Sequence, residues 1–192
     1  RRMTRKREER LAALLQTDGP LWQEGVAFAG MDEAGRGPLA GNVVASCVVM
    51  PSAPLLPWVD DSKKLSPARR EKVYAEIMQT ALYMGVGQAT PEEIDQMNIL
   101  EATKAAMRRA AEQVPASLFL IDAVSGLHLK GEERGIIHGD ALCYSIAAAS
   151  IVAKVTRDRQ LLALDAEYPG YGFAVHKGYG TKQHYAAIRE LG

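Results

Sequence analysis

Two acidic side chains, Asp32 and Glu33, stand next to each other where an apolar segment meets a glycine-rich turn. Two further acids, Asp122 and Asp140, lie at or near the ends of later apolar segments. Carboxylates that gather at strand ends repel one another unless cations neutralise them, and oxygen ligands suit hard divalent cations. Two such cations about 4 Å apart are the usual means of in-line attack on a phosphodiester. The four acids therefore predict a two-cation site for phosphodiester hydrolysis.

Each acid also has a purely structural interpretation. The position of Asp140, taken alone, favours a helix-capping role. Asp122 after "LFLI" fits a solvated turn residue as well as it fits a metal ligand. Successive strand residues point to opposite faces. Asp32 and Glu33 can therefore serve one site only if the chain bends at once, and the following "AGRG" supplies that bend.

The turn Gly35–Gly37, called here the GRG turn, is the second candidate feature. It is neither a dinucleotide-binding fingerprint nor a P-loop, because the glycine spacing is wrong and a strand follows where a helix is required. Gly35 and Gly37 let the backbone approach a ligand closely, and backbone amides can recognise a sugar hydroxyl. Arg36 could hold a phosphate. The alternative is a tight hairpin turn without a ligand.

Three further residues could contact nucleic acid. Lys63 and Lys64 stand near a predicted helix entrance, where a phosphate backbone is readily bound. Tyr179 lies in a loop rich in glycine and tyrosine, from which it could stack on a base or a sugar. The alternatives are a solvated charged loop for the lysines and a packing contact for the tyrosine.

The elements that must position these residues alternate along the chain. We predict the order strand, strand, helix, strand, helix, strand, strand, helix, loop, helix, which indicates an α/β fold with a mixed sheet flanked by helices. The first two strands are expected to form an antiparallel hairpin. The predicted helices are 6–15, ending at "TDGP"; one from Pro67, capped by Ser66; one over 90–114, capped by Thr90; a long one over 144–168; and a closing one from 182. A short edge strand is expected over 135–140.

Composition narrows the class of protein. The chain has 23 basic and 23 acidic residues, which excludes a broadly basic surface but leaves room for a local basic groove. Cys47 and Cys143 are far apart and indicate free thiols in a reducing cytoplasm. We expect no membrane span and no signal peptide. The predicted organisation is a basic, partly helical or flexible segment over 1–20 and one catalytic domain over 21–192.

Six motifs in order give a specific resemblance that spans Gly30 to His184. They are "GMDEAGRGPLAG", "DDSKKLS", "EEIDQMNILEAT", "LIDAV", "GDALCYSIAAASIVAKVTRDR" and "HKGYGTKQH". Together they are similar to bacterial ribonuclease HII. The resemblance implies a ribonuclease H-like fold, with a mixed five-stranded sheet, flanking helices and a C-terminal helical segment.

The resemblance also implies an activity and a set of site residues. The activity is endonucleolytic cleavage of RNA in RNA–DNA hybrids and incision 5′ to single ribonucleotides in duplex DNA. It would leave a 3′-hydroxyl and a 5′-phosphate, need two Mg²⁺ or Mn²⁺ ions, and act in ribonucleotide removal during replication and repair. A monomer is expected, and contact with a sliding clamp stays open. The implied catalytic and metal-binding residues are Asp32, Glu33, Asp122 and Asp140, and the implied substrate-binding residues are Gly35, Arg36, Gly37, Lys63, Lys64 and Tyr179.

The chain departs from the family pattern at a few places. Asn42 stands where proline is usual, His138 replaces a lysine, and "IDAVSG" replaces a more typical "IDGN" run. None of these changes removes a carboxylate. No second substrate-binding domain is seen, which favours ribonuclease HII over ribonuclease HIII. Two other functions stay open: a non-catalytic hybrid-binding module of the same fold, and a magnesium-dependent phosphohydrolase of small nucleotides.

Overall fold

A five-stranded mixed sheet is the centre of the computed structural model, which describes residues 4–192. The strands are β1 (Phe28–Ala34), β2 (Val43–Val49), β3 (Tyr83–Ala89), β4 (Leu118–Asp122) and β5 (Glu132–Ile136). Their order across the sheet is β3-β2-β1-β4-β5. The predicted antiparallel hairpin of the first two strands is confirmed, since β1 pairs with β2 and β2 with β3 in antiparallel fashion.

The parallel half of the sheet sets up the acidic site. β1 pairs with β4, and β4 with β5, in parallel. The register aligns Met31 with Ile121, so Asp32 and Asp122 are the next residues along two adjacent strands. Because parallel strands end at the same edge of a sheet, the two carboxylates emerge side by side.

Eight α-helices of the described residues surround the sheet, and a short 3-10 helix lies at Ser62–Lys64. They are α1 (Arg5–Gln23), α2 (Pro67–Thr80), α3 (Pro91–Met97), α4 (Ile99–Ala111), α5 (Gly139–Leu142), α6 (Tyr144–Glu167), α7 (Phe173–His176) and α8 (Lys182–Leu191). α6 packs on β1 and β2 from one side, and α4 packs on β2 and β3 from the other. Small residues permit both approaches: a Cβ on Gly30 would lie 2.1 Å from the carbonyl carbon of Ser145 on α6.

α1 corrects the predicted first helix. It continues through "TDGP" to Gln23, with Pro20 inside it. The reason is tertiary: Asp18 is fully buried and accepts hydrogen bonds from the backbone N–H groups of Tyr144 and Ser145, both at 3.0 Å, at the start of α6. A residue that resembled turn chemistry in sequence therefore caps a neighbouring helix.

Three other boundaries differ from the predictions. The helix predicted over 90–114 is divided at Asn98, which has a φ of 74° and whose side chain caps α4. The expected edge strand lies earlier, as β5, because its pairing with β4 begins at Glu132. The loop before α8 contains the short helix α7. None of the helices within residues 4–192 has the length and hydropathy to cross a membrane.

Candidate active site

Three carboxylates from separate elements converge at one edge of the sheet. Asp32 lies on β1, Asp122 ends β4 and Asp140 lies on α5, and one carboxylate oxygen of each lies within 4.8 Å of the others. We call these residues the three-carboxylate cluster. Asp32 and Asp140 are each only 5% exposed. Acids that are as much as 108 residues apart in sequence, Asp32 and Asp140, therefore meet at one largely buried position with Asp122.

Local backbone geometry brings Asp140 to this edge. His138 adopts the left-handed conformation, with a φ of 56°, and turns the chain from β5 into α5. The Gly139 N–H then donates to Asp122 Oδ1 at 2.7 Å, which fastens α5 to the end of β4. Cys143 is extended and separates α5 from α6, so Asp140 is not part of the long helix.

Burial and mutual repulsion make the cluster electrostatically unfavourable on its own. Burial, followed by the nearby charges of Glu33 and Asp122, raises the pKa of Asp32 well above its ordinary value. Burial also raises the pKa of Asp122, and the charge of Asp140 adds to this effect. A group of buried like charges of this kind binds protons or cations.

Glu33 lies beside the cluster and not within it. Its backbone N–H donates to Asp32 Oδ1 at 2.7 Å, and its Oε1 accepts from Arg36 at 3.3 Å. Its Oε2 is buried without a hydrogen-bond partner among the described residues. Burial raises the pKa of Glu33, although Arg36 opposes the shift. The predicted bend after β1 is present, but it leaves one Glu33 oxygen without a partner among residues 4–192.

These features fit a hard divalent cation. The available donors are carboxylate oxygens, which Mg²⁺ and Mn²⁺ prefer over zinc-type sulfur and nitrogen sets. The raised pKa of Asp32 and the unpartnered Glu33 Oε2 both indicate negative charge that the nearby Arg36 and Lys63 do not fully offset. A cation between the carboxylates would remove both deficits.

A cleft of about 280 Å³ opens next to the cluster. It combines acids, the GRG turn and the tyrosine in one space; its lining is Asp32, Glu33, Ala34, Gly35, Arg36, Gly37, Ser62, Lys63, Ser150, Lys154 and Tyr179. Gly37 approaches the Tyr179 ring closely enough that an added Cβ would lie 3.5 Å from it. Tyr179 lines this cleft and is 45% exposed, so its side chain is accessible from solvent.

The "DDSKKLS" segment directs Lys63 to the cluster. Asp61 Oδ1 accepts from the Lys63 N–H at 2.9 Å, and Lys63 Nζ lies 3.4 Å from Asp140 Oδ2. Burial opposes the charged ammonium, but the charges of Asp140 and Asp61 outweigh it and raise the pKa of Lys63. Lys63 therefore stays a cation at the edge of the cleft.

Lys64 lies in a different place. It lines a separate cavity of about 410 Å³ with Arg10, Trp58 and Asp60. Asp60 is held there by Arg7 and Arg10 of α1. The two lysines that appear equivalent in sequence thus face different surfaces, and only Lys63 enters the cleft.

The chain is similar to known proteins over most of its length. A family model described as ribonuclease HII matches residues 29–192. The ribonuclease HII of Desulfitobacterium hafniense strain Y51 is 52% identical over 187 residues, which are 96% of this chain and 72% of that protein. The chain belongs to the ribonuclease HII family. The ribonuclease HII of Geobacter sulfurreducens is 55% identical over 167 residues, covering 86% of this chain and 77% of that protein.

Solved structures agree with this assignment. Ribonuclease H2 from Pyrococcus horikoshii OT3 superposes with a TM-score of 0.73 at 28% identity, over 85% of each chain. The PCNA:RNase HII complex from Archaeoglobus fulgidus gives a TM-score of 0.76 at 26% identity, over 86% of this chain and 88% of that chain. The predicted ribonuclease H-like fold is confirmed. Ribonuclease HII enzymes are metal-dependent endoribonucleases that cleave RNA in RNA–DNA hybrids.

Sequence reasoning missed three polar residues of the cleft. Ser150 and Lys154 are one turn apart on α6, so both face the same side, as their spacing could have indicated. Ser62 is uncharged, but its hydroxyl accepts a hydrogen bond from the Ser150 hydroxyl at 2.8 Å. This bond fixes the segment that carries Lys63 to α6. The role of Ser62 depends on this contact with a residue 88 positions away, so the local sequence does not indicate it.

The departures from the ribonuclease HII pattern lie outside the three-carboxylate cluster. The Asn42 side-chain amide donates to Gln88 at 3.3 Å and to Gln160 at 3.4 Å. His138 is close to Asp122, where its charge opposes the raised pKa of that carboxyl. The "IDAVSG" run requires a left-handed Ala123, with a φ of 51°, directly after the strand.

Proposed function

We propose that this ribonuclease HII cuts the RNA strand of RNA–DNA hybrids and incises duplex DNA 5′ to a single embedded ribonucleotide. The observation that carries the proposal is the shared cleft, in which the cluster's Asp32, the GRG turn and Tyr179 face one space of about 280 Å³. A backbone turn beside the scissile phosphate can detect a 2′-hydroxyl without reading the base. The expected enzyme is specific for ribose and indifferent to sequence.

Asp32, Glu33, Asp122 and Asp140 would hold the divalent cations, and each is proposed to be catalytic. Two bound Mg²⁺ or Mn²⁺ ions would supply an activated water and stabilise the leaving oxygen. The protein's own part is to hold the acids in place through fixed strand ends and the Gly139-to-Asp122 hydrogen bond. Hydrolysis at the 3′ oxygen would leave a 3′-hydroxyl and a 5′-phosphate.

The substrate would be held by groups around the cluster. Gly35 and Gly37 would present backbone groups to the ribose, and Arg36 would move from Glu33 to a phosphate. Tyr179 would stack on the deoxyribose that follows the ribonucleotide. Lys63 would bind a phosphate close to the scissile bond, and Lys64 would bind one further away.

The wider setting is also a proposal. All of these residues fall within 21–192, which we propose as the catalytic domain; the basic segment 1–20 packs onto it through α1, and residues 1–3 lie outside the described part. We propose a cytoplasmic monomer that acts in ribonucleotide removal during replication and repair. The structure of the Archaeoglobus fulgidus enzyme in complex with PCNA makes a sliding clamp a candidate partner for this chain.

A gel assay with two labelled duplexes tests the proposal. One carries a single ribonucleotide in DNA, and the other is its all-DNA counterpart as the matched control. We expect cleavage 5′ to the ribonucleotide with Mg²⁺ or Mn²⁺, none with EDTA, and none of the control. Binding without cleavage would favour the hybrid-binding module, and turnover of mononucleotides alone would favour the small-nucleotide phosphohydrolase.

A further inference from the structure

Arg157 on α6 is the largest fully buried side chain of the described residues, with only 1% of its surface exposed. Burial lowers the pKa of its guanidinium. A buried charge is normally paired with an acid. The adjacent Asp158 instead pairs with Arg70 and Lys154, and no ion pair to Arg157 is found within residues 4–192. An unpaired buried arginine must be held by something else.

Three backbone carbonyls hold the guanidinium. Its Nε donates to the Asn42 carbonyl at 3.0 Å and its Nη2 to the Ala40 carbonyl at 2.8 Å. Its Nη1 donates to the Lys177 carbonyl at 2.9 Å. The first two carbonyls belong to the segment that follows the GRG turn, and the third belongs to the segment 177–180, called here the tyrosine loop. One side chain therefore joins the two loops.

Glycines leave the space that this guanidinium occupies. A Cβ on Gly35 would lie 2.5 Å from Arg157 Nε, and one on Gly41 or Gly178 would lie 3.3 Å from Nη2. All three glycines have positive φ, at 106°, 87° and 84° respectively. A planar fork with five donors can serve three carbonyls at once, whereas a lysine ammonium in the same place lacks that geometry.

The two loops also contact each other directly. The Leu39 N–H donates to the Gly178 carbonyl at 2.8 Å. A Cβ on Gly178 would lie 2.5 Å from the Ala40 carbonyl oxygen. Tyr179 follows immediately, and a Cβ on Gly37 would lie 3.5 Å from its ring, so the loop that Arg157 binds carries the ring that lies against the GRG turn.

We propose that Arg157 is a positioning residue which holds the GRG turn and Tyr179 at one fixed separation, so that a ribose and the deoxyribose after it are read together. The inference rests on the proposed function. It assigns to a buried residue that does not line the cleft a share of the selectivity for an RNA-to-DNA junction. A displacement of about 1 Å in such a contact can cost about 100-fold in rate.

The test compares two substrates in the same enzyme. Selectivity is the ratio of kcat/KM for duplex DNA with one ribonucleotide to kcat/KM for a continuous RNA–DNA hybrid, which has no junction for Tyr179. Arg157→Met is expected to lower this ratio by about tenfold or more. The matched control is Arg159→Met on the same helix, whose guanidinium pairs with Glu71 at the surface. It should leave the ratio unchanged.

A double-mutant cycle separates positioning from general packing. If Arg157 acts through Tyr179, then Arg157→Met should change the ratio little in a Tyr179→Ala background. Additive losses in the cycle, or equal losses on both substrates, would overturn the proposal. Arg157→Lys keeps the charge but not the fork, so full recovery of selectivity in that variant would also overturn it.

A second variant guards against a folding defect in Arg157→Met. Gly178→Ala leaves Arg157 intact and pushes the tyrosine loop away from Ala40, so it should lower the same ratio. An unchanged ratio in Gly178→Ala counts against the proposal. Failure of the wild-type enzyme to cut at a single ribonucleotide would instead refute the proposed function, which keeps the two failures distinct.

Discussion

Asp32 illustrates how a residue can be unfavourable for the fold and suited to the reaction. It is 5% exposed, and the only hydrogen bond that it accepts among the described residues comes from the Glu33 N–H. Burial and the neighbouring acids raise its pKa, so the protein stores electrostatic repulsion at this position. Repulsion of this kind is relieved when a cation binds, which links metal affinity to the folding of the strand ends.

Asp32→Asn should therefore stabilise the metal-free protein. We expect the free energy of unfolding in urea with EDTA at pH 7 to rise by about 1–3 kcal/mol, because one buried like charge is removed. The wild type should gain stability from Mn²⁺, and the variant should gain much less. Glu190→Gln on the exposed end of α8 serves as the control. A variant no more stable than the wild type in EDTA would contradict the repulsion.

Asp122→Asn separates cutting from binding. The asparagine side-chain oxygen would still accept the hydrogen bond from the Gly139 N–H, so the end of β4 should keep its conformation. We expect single-turnover cleavage of a hybrid to fall by more than about 100-fold, while binding measured by fluorescence anisotropy is unchanged or tighter. Glu132→Gln, at the start of β5, is the control. Cleavage at a near-normal rate would remove Asp122 from the catalytic group.

At the scale of elements, helix ends and strand ends explain most of what the sequence predicted well. The Ser66 cap and the Thr90 capping box are both present, because short polar side chains before proline and glutamate are strong local signals. The position of Asp140 had no such signal. It depends on a left-handed His138 and an extended Cys143, which only contact with β4 stabilises.

Glu93 provides a test at this scale. It pairs with Arg109 on α4 and accepts a hydrogen bond from the Thr90 N–H at 2.9 Å, and these two interactions lower its pKa to about 2. A lowered pKa gives stability that is present above the unfolded value of about 4.3 and lost as the pH falls toward the folded value. It contributes nothing below both values.

The lowered pKa of Glu93 predicts how the stability of Glu93→Gln depends on pH. The variant should be less stable than the wild type at pH 7, and the difference in urea midpoint should shrink as the pH falls from about 5 to about 3. Asp95→Asn, at an exposed acid of the same helix that does not pair with Arg109, is the comparison. A difference that stays constant with pH would mean that the Glu93 charge is not the source of the stability.

At the scale of the whole molecule, α1 is part of the packed structure. Leu14 is fully buried in the core that α2 and α6 also form, and Arg7 and Arg10 hold Asp60 just before the Lys63 segment. Sequence periodicity indicated a short helix here. Its true length depends on Asp18 capping α6, a contact between residues more than 120 positions apart that no local pattern encodes.

Leu14→Ala should therefore destabilise the entire protein. We expect a loss of about 2–4 kcal/mol in the free energy of unfolding with the transition still cooperative, because a cavity opens in the shared core. Gln16→Ala, on the exposed side of the same helix, should change it little. Two separate unfolding transitions, or an unchanged midpoint in Leu14→Ala, would show α1 to be an independent appendage.

The most direct test of the metal site at the three-carboxylate cluster is to locate Mn²⁺ by anomalous diffraction from crystals grown with an uncleavable RNA–DNA hybrid. The account predicts anomalous density bounded by oxygens of Asp32, Asp122 and Asp140, with Glu33 turned toward it and the scissile phosphate on its open side. Manganese bound elsewhere, with these three carboxylates left without an ion, would contradict it.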